Sequence, residues 1–369
     1  MGTTSYLAGY TRLHARYICP CLTPANTSKN AGVSLQFFAY VTTPIMRQLV
    51  PLTTKLAFLF FLCLILSSAA PCQAQNQAQF PQSIAETLPD FVHKSFADSA
   101  AHTARRVRLL AVGSALSYGI IYTGLTQSWY TGEKVPLHWF NDWPEWKQLD
   151  KAGHCWGAFQ ESRAAVDMLR WAGLPQKKAI WYGSFVGFAV QSPIELLDGR
   201  DPAYGASATD LAANFLGSAG VLAQQLAWQD IRLMPKVSFH LTGYAQRRPN
   251  ALGSNLPERL LKDYNGQTYW LCTDVGAFLR PGNRWPRWLQ PALGYGGEDL
   301  VYNDDGTNAA NGLRPYRQFY LSLDVDLRRI PTRSVLLKRV FYALSIFHLP
   351  APALELNGRG EWNFHAFYQ

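Results

Sequence analysis

The sequence predicts an α+β protein: an N-terminal helical bundle with a polar, glycine-lined interface, followed by a small antiparallel β unit. Three observations predict it. Small and polar residues recur every three or four positions between 148 and 228, the spacing of one helix face. After Pro235 the pattern changes to a period of two, clearest in QFYLSLDVDL at 318–327. Clusters of Gly, Asn, Asp and Pro cut that second part into short segments, as turns between strands do.

The elements follow in chain order. Residues 56–70, LAFLFFLCLILSSAA, are apolar, with Arg47 and Lys55 before them and small residues after. This is the order of a secretory signal, and the run is short of the ~20 residues that span a bilayer. Met46 stands just ahead, so 46–74 reads as a signal peptide cleaved after Ala74. Residues 1–45 then read as a mis-assigned extension, the alternative being a long genuine leader. The Gln-rich segment 75–90 is a linker. A helical domain is expected over 91–235, with helices at 91–130, 148–172, 176–197 and 208–228. Gly173 and Pro175 stop the second helix; Asp198-Gly199-Arg200-Asp201-Pro202 is a turn. Ser207 caps the last helix, with Asp210 in its first turn. An aromatic loop fills 131–147. A β-rich domain covers 236–369, with strands at 237–244, 267–279, 292–303, 318–327, 340–347 and 361–368. In the fourth, Phe319, Leu321, Leu323 and Val325 alternate with Tyr320, Ser322, Asp324 and Asp326.

Composition narrows the class. The chain is 48% hydrophobic and 14% aromatic with 16% charged residues, which excludes a disordered chain. The net charge is +9, but five bases and no acid precede position 86, so the remainder carries only +4. That mild charge, with no long basic run, argues against nucleic acid. Of six cysteines only Cys155 and Cys272 lie beyond the leader. They allow one disulfide in an oxidising compartment, and no CxxC pair suggests zinc.

Three helices carry stripes of polar and small residues: Asp150, His154, Gly157 and Glu161; Gly183, Gly187, Gln191 and Glu195; Asp210, Asn214, Gly217 and Val221. Small residues let helix backbones approach closely. Packing the stripes together brings Asp150, His154, Glu195 and Asp210 into one place as candidate catalytic groups. Lys151, Asp198, Arg200 and Asn214 stand nearby as candidate binding groups. Paired carboxylates beside a His suit general acid–base work. His and carboxylate oxygens also suit several metals, but there is no HExxH, and no residue is assigned to a metal or cofactor. The competing reading is a hydrogen-bonded polar core that fixes helix register. Glu161 is expected on a solvated face, and His138, His240, His348 and His365 at the surface or in packing.

Asp150-Lys151-x-Gly153-His154, Glu195-x-x-Asp198-Gly199 and Ser207-x-x-Asp210-x-x-x-Asn214-x-x-Gly217 together resemble an uncharacterised envelope family of predicted periplasmic lipoproteins, the YfiM-type domain of unknown function. Trp129-Tyr130, KDYNGQTYW at 262–270 and SLDVD at 322–326 resemble its longer members, so the resemblance covers roughly 95–369. The order of Asp-Lys-x-x-His, Glu, Arg and Asp-x-x-x-Asn-x-x-Gly is more loosely similar to the VanZ-like membrane family. The resemblance implies an envelope location and a helical core domain, and no reaction. One departure is Pro71-Cys72, a poor lipidation motif.

These readings converge on an exported protein of the periplasm or outer membrane of a Gram-negative bacterium, structural or accessory in role, with membrane or envelope components as partners. A sheet with aromatic strand ends suits a membrane-facing surface, although six strands fall short of the ~8 of a free-standing barrel. An enzyme acting on an envelope lipid or cell-wall precursor is the alternative. A multi-helix membrane protein, spanning at 109–130, 179–194 and 211–229, is a second.

Overall fold

The computed structural model describes residues 90–368 apart from 129, 131, 132 and 203, all within a compact unit, Val50–Gln369. The expected extension, signal peptide and Cys72, and the linker up to 89, lie outside the described residues. The chain is α+β, with helices preceding an antiparallel sheet. Helix α1 is Asp90–Ser128, α2 is Leu149–Ala172, α3 is Gln176–Ser184, α4 is Val186–Asp198 and α5 is Ala208–Trp228. Gly173 ends α2 at φ 95°, and the Ser207 hydroxyl accepts from the Asp210 amide at 3.0 Å to open α5.

The single helix expected over 176–197 is broken at Phe185. The break frees amides at the start of α4, and its neighbours satisfy them. Gly187 N–H donates to Ser162 Oγ on α2 at 3.1 Å, and Phe188 N–H donates to Ser218 Oγ on α5 at 2.9 Å. Close approach follows from two glycines. A Cβ on Gly187 would lie 2.1 Å from the Ala158 carbonyl oxygen, and one on Gly217 would lie 2.2 Å from that of Cys155.

Six strands form one meander in sequence order, each antiparallel to the next: β1 Leu233–Phe239, β2 Gln267–Thr273, β3 Leu289–Glu298, β4 Tyr316–Val325, β5 Ala351–Asn357 and β6 Trp362–Tyr368. Short helices interrupt it: α6 Pro249–Leu252, α7 Leu256–Lys262, α8 Asp305–Ala310 and α9 Val335–Leu344. The expected strand at 340–347 is therefore wrong in type. Ser334 caps α9 by accepting from Leu337 N–H, and a helical amphipathic pattern prevails over a short alternation. Cys155 and Cys272 are separate free thiols.

Helices and sheet share a core in which Phe159, Val166, Ile180 and Val221 meet Met234, Trp270 and Tyr320. Gln160 of α2 donates to the Pro235 carbonyl at 2.6 Å. Gln224 of α5 accepts from Leu233 N–H at 2.8 Å and donates to its carbonyl at 2.9 Å.

The sheet is inverted in polarity. Antiparallel sheets with one wet face ordinarily turn their apolar residues inward. Here the inward set of β4 is Gln318, Tyr320, Ser322 and Asp324, all buried, while Phe319, Leu321 and Leu323 are exposed. Beside the apolar core residues Met234, Trp270 and Ala292, paired polar groups occupy part of the inner face. Lys236 and Asp324 form a fully buried ion pair, Gln318 donates to Glu355 at 3.1 Å, and Gln290 donates to Asp326 at 3.2 Å. The sheet curls over this interior, because the Tyr368 hydroxyl at the end of β6 reaches Thr268 on β2 at 2.9 Å and Tyr320 on β4 at 2.8 Å. On the outer face, register aligns Leu271, Leu293, Leu321, Leu354 and Phe364 in one row across five strands. In the next row in register, Tyr269, Tyr295, Phe319, Leu356 and Trp362, Phe319 and Trp362 are exposed, whereas the Tyr269 and Tyr295 hydroxyls reach Gly153 and Lys147 at the start of α2.

Among the described residues, one helix is long and apolar enough to cross a membrane: the stretch Ser99–Gly124 of α1, whose apolar window has mean hydropathy 1.2 and is wholly unburied. The segment 179–194 is divided between α3 and α4.

Candidate functional site

The polar groups of α2, α4 and α5 converge at one end of the helical body. Three consecutive residues before α2, Trp146, Lys147 and Gln148, have φ of 48°, 53° and 63°, a left-handed run that costs L residues ~1 kcal/mol or more each. Sheet and loop contacts hold the run in place. The Tyr295 hydroxyl donates to the Lys147 carbonyl, Arg317 donates to Gln148 Oε1 at 2.6 Å, and Lys147 pairs with Asp305 at 2.5 Å. The run sets where α2 begins, and so where Asp150, Lys151 and His154 point.

Lys151, 6% exposed, is the hub. Its Nζ pairs with Asp142, with Asp150 at 2.8 Å and with Asp210 at 2.9 Å. Burial alone would lower its pKa, but the surrounding carboxylates, Asp150 first, reverse this and raise it. Asp142 also accepts from the hydroxyls of Ser207 at 2.6 Å and Thr209 at 2.8 Å. Burial opposes its ionisation, yet its hydrogen bonds with Asp210, Lys151 and the two hydroxyls hold its pKa at about 2.

One turn along α2, His154 Nδ1 lies 3.1 Å from Asn214 Oδ1. Its Nε2 lies 4.0 Å from Glu195 Oε1 and 4.0 Å from Asp210 Oδ2. The Glu195 carboxylate accepts from Ser207 N–H at 3.1 Å. Burial, then the charge of Asp210, raises its pKa to about 8. Asp198 accepts from the Tyr130 hydroxyl at 2.7 Å, and burial raises its pKa to about 6. Asp210 is raised to about 6, also chiefly by burial. Asp150 is raised by burial against the pull of Lys151.

Asp150, Lys151, His154, Glu195, Asp198, Asp210 and Asn214 thus lie in one connected cluster. Arg200 does not join it. The residue is exposed, and its backbone is tied down at both groups, the carbonyl accepting from Val135 N–H at 3.0 Å and the N–H donating to the Leu197 carbonyl at 3.0 Å. Glu161 is not on a solvated face: its carboxyl sits 3.3 Å from the Gln191 amide, and loss of hydration raises its pKa to about 8. His348 is buried, its ring stacked 3.9 Å from that of Trp270. Sequence reasoning missed Asp142, whose signal is a lone carboxylate in the aromatic loop just ahead of Asp150-Lys151. It also missed Tyr130 as the partner of Asp198. Chemically, the cluster offers carboxyl groups poised near neutrality beside an imidazole that retains some solvent contact.

No curated protein and no solved structure matches the chain. Residues 138–225, which supply every member of the cluster except Tyr130, match the family described as predicted periplasmic lipoprotein (DUF2279), and so identify this part of an exported cell-envelope protein with a domain of unknown function.

Proposed function

We propose that the protein is a structural or accessory component of the envelope, seated on a membrane through the outer face of its sheet. The observation that carries this reading is the inverted polarity of the sheet. Leu293 is 62% exposed, Leu321 55% and Phe364 72%, while the inward residues of β4, Gln318, Tyr320, Ser322 and Asp324, are buried. An apolar band with Phe319 and Trp362 exposed beside it is the kind of surface that strands turn toward lipid. Large contiguous apolar surface on an exported chain calls for a partner, and hydrocarbon matches this one in chemistry. The helical body would then stand beside the membrane, with its polar cluster kept in water. Purified mature protein is expected to float with vesicles of phosphatidylethanolamine and phosphatidylglycerol on a density gradient. Recovery as a monodisperse species in the dense, vesicle-free fractions without detergent would overturn the reading.

A second reading has its own support: Glu195, Asp198 and Asp210 surround His154 with carboxyls whose pKa values lie near neutrality. Such groups can exchange protons with a bound envelope lipid or wall precursor. Under this reading His154→Ala abolishes a cellular phenotype while leaving the melting temperature unchanged. A collapse in stability instead favours a purely structural polar core.

A further inference from the structure

We propose that His154, Glu195 and Asp210 bind a divalent first-row transition-metal ion. One nitrogen and two carboxylate oxygens offer their ligand atoms within 4.8 Å of one another. The hydrogen bond on the far side of the imidazole fixes its role. With Asn214 Oδ1 as the acceptor, Nδ1 carries the proton and leaves Nε2, 4.0 Å from each of the two carboxylates, free to ligate. In the amide orientation that satisfies both its atoms, Gln191 also donates to Asn214 Oδ1, at 2.7 Å. Three acceptors therefore converge. Among the described residues Lys151 is the one Lys or Arg within ion-pair distance of either carboxylate, and its Nζ sits against Asp210 Oδ1, not Oδ2. Asn214 supplies a separate indication. Its side chain has no exposed surface, it faces His154, and its Nδ2 donor has no partner. That unsatisfied donor lies beside the imidazole within the same buried cluster.

Two edges of this triangle are 4.0 Å and the third is within 4.8 Å, so its centre lies at most about 2.5 Å from each corner, and a small carboxylate rotation brings this to the ~2.0–2.2 Å of zinc-type bonds. An imidazole with two carboxylates suits manganese, iron or zinc better than calcium or magnesium. Three protein ligands leave further coordination positions open, and the His154 side chain, 24% exposed, gives a route in from solvent. The inference does not rest on the membrane reading.

Chelator-stripped protein titrated with Mn²⁺ and followed by electron paramagnetic resonance is expected to take up one ion per chain. The bound ion's spin-echo spectrum should show coupling to a single imidazole nitrogen. Zn²⁺ should compete more tightly. Glu195→Gln and His154→Gln should each weaken Mn²⁺ binding at least ~100-fold, while His138→Gln, outside the cluster, leaves it unchanged. Absence of uptake by the wild-type protein at millimolar Mn²⁺ would overturn the proposal, as would a bound ion with no imidazole coupling. Both readouts use the wild-type chain, so they stand even where a variant fails to fold. Flotation with vesicles that persists in chelator separates this result from the membrane reading.

Discussion

Lys151 decides the state of its end of the helical body. Three carboxylates close on its ammonium, and removing one partner of a buried ionic group costs about 3–5 kcal/mol, because the charges left behind have no counterion. Lys151→Met is expected to lose that much in urea unfolding at pH 8, and less at pH 5, where protonation relieves the stranded carboxylates. A second buried group makes the sheet sensitive to acid. His348 is packed against Trp270 beside Asp324 and Lys236, and burial lowers its pKa to about 4 from 6.5. Between those two values the unfolded chain binds a proton that the folded chain does not. The stability is therefore complete above pH 6.5 and falls as pH drops toward 4, by roughly 2–3 kcal/mol. His348→Phe keeps the stack on Trp270 and removes the titrating group. The variant should flatten the dependence of the melting temperature on pH across that window. At this scale the sequence was informative where helical spacing governs. Asp150 with His154, and Asp210 with Asn214, are each four residues apart and share a helix face. It was silent on Asp142, which a loop delivers through the left-handed turn at 146–148, a conformation those residue types do not announce.

Elements were legible where composition and geometry agree. Gly187 of α4 and Gly217 of α5 sit where α2 comes too close for any side chain, so the three- and four-residue spacing of the small and polar residues around them could be read as a packing face. Gly187→Ala and Gly217→Ala would each force a Cβ to within 2.1–2.2 Å of a carbonyl oxygen on α2. Overpacking of this kind costs typically ~1–3 kcal/mol, and two backbones that must separate place these at the upper end. Gly113 in α1 has nothing within 4 Å of its would-be Cβ. Gly113→Ala should be neutral, or stabilise the helix by ~0.5–1 kcal/mol. Thermal melts of the three variants check both halves of the argument. The β elements were less legible. Pro350 and Pro352 disguise β5, because proline removes a ladder donor; the structure accommodates them with a register shift between Ala351 and Ala353. In 340–347 a brief alternation imitates a strand, while the Ser334 cap and the apolar face of Leu336, Leu337, Val340 and Leu344 belong to a helix. Alternation in β4 established the strand but not its sense, since a period of two does not say which face is buried.

For the whole molecule, that sense is the consequential feature. The helical body and the sheet share a core, so they move as a unit, and the row Leu271, Leu293, Leu321, Leu354 and Phe364 remains outside it. Fully burying a Leu or Phe contributes about 1.5–3 kcal/mol. Even half of that over five residues is about 4–7 kcal/mol, a gain open only to a chain that finds an apolar surface. Basic side chains border the band: Arg280 and Arg284 are exposed in the β2–β3 loop, with Trp285 and Trp288 beside them, and Lys338 is exposed on α9. This combination suits an anionic headgroup layer above hydrocarbon. The two contributions separate by ionic strength, because charge attraction is screened and apolar burial is not. Raising salt from 0.05 to 0.5 M, both of order chosen to bracket a Debye length of ~10 Å, should weaken binding to phosphatidylglycerol vesicles without abolishing it. Leu293→Glu with Leu321→Glu should abolish binding at either salt, since each change removes a leucine that binding buries and sets a charge on a lipid-facing strand. Both positions are exposed in the folded chain, so the double variant should melt where the wild type does. A double variant that still floats with vesicles would show that the sheet is not the seat, and would leave the unburied apolar stretch of α1 as the surface to examine next.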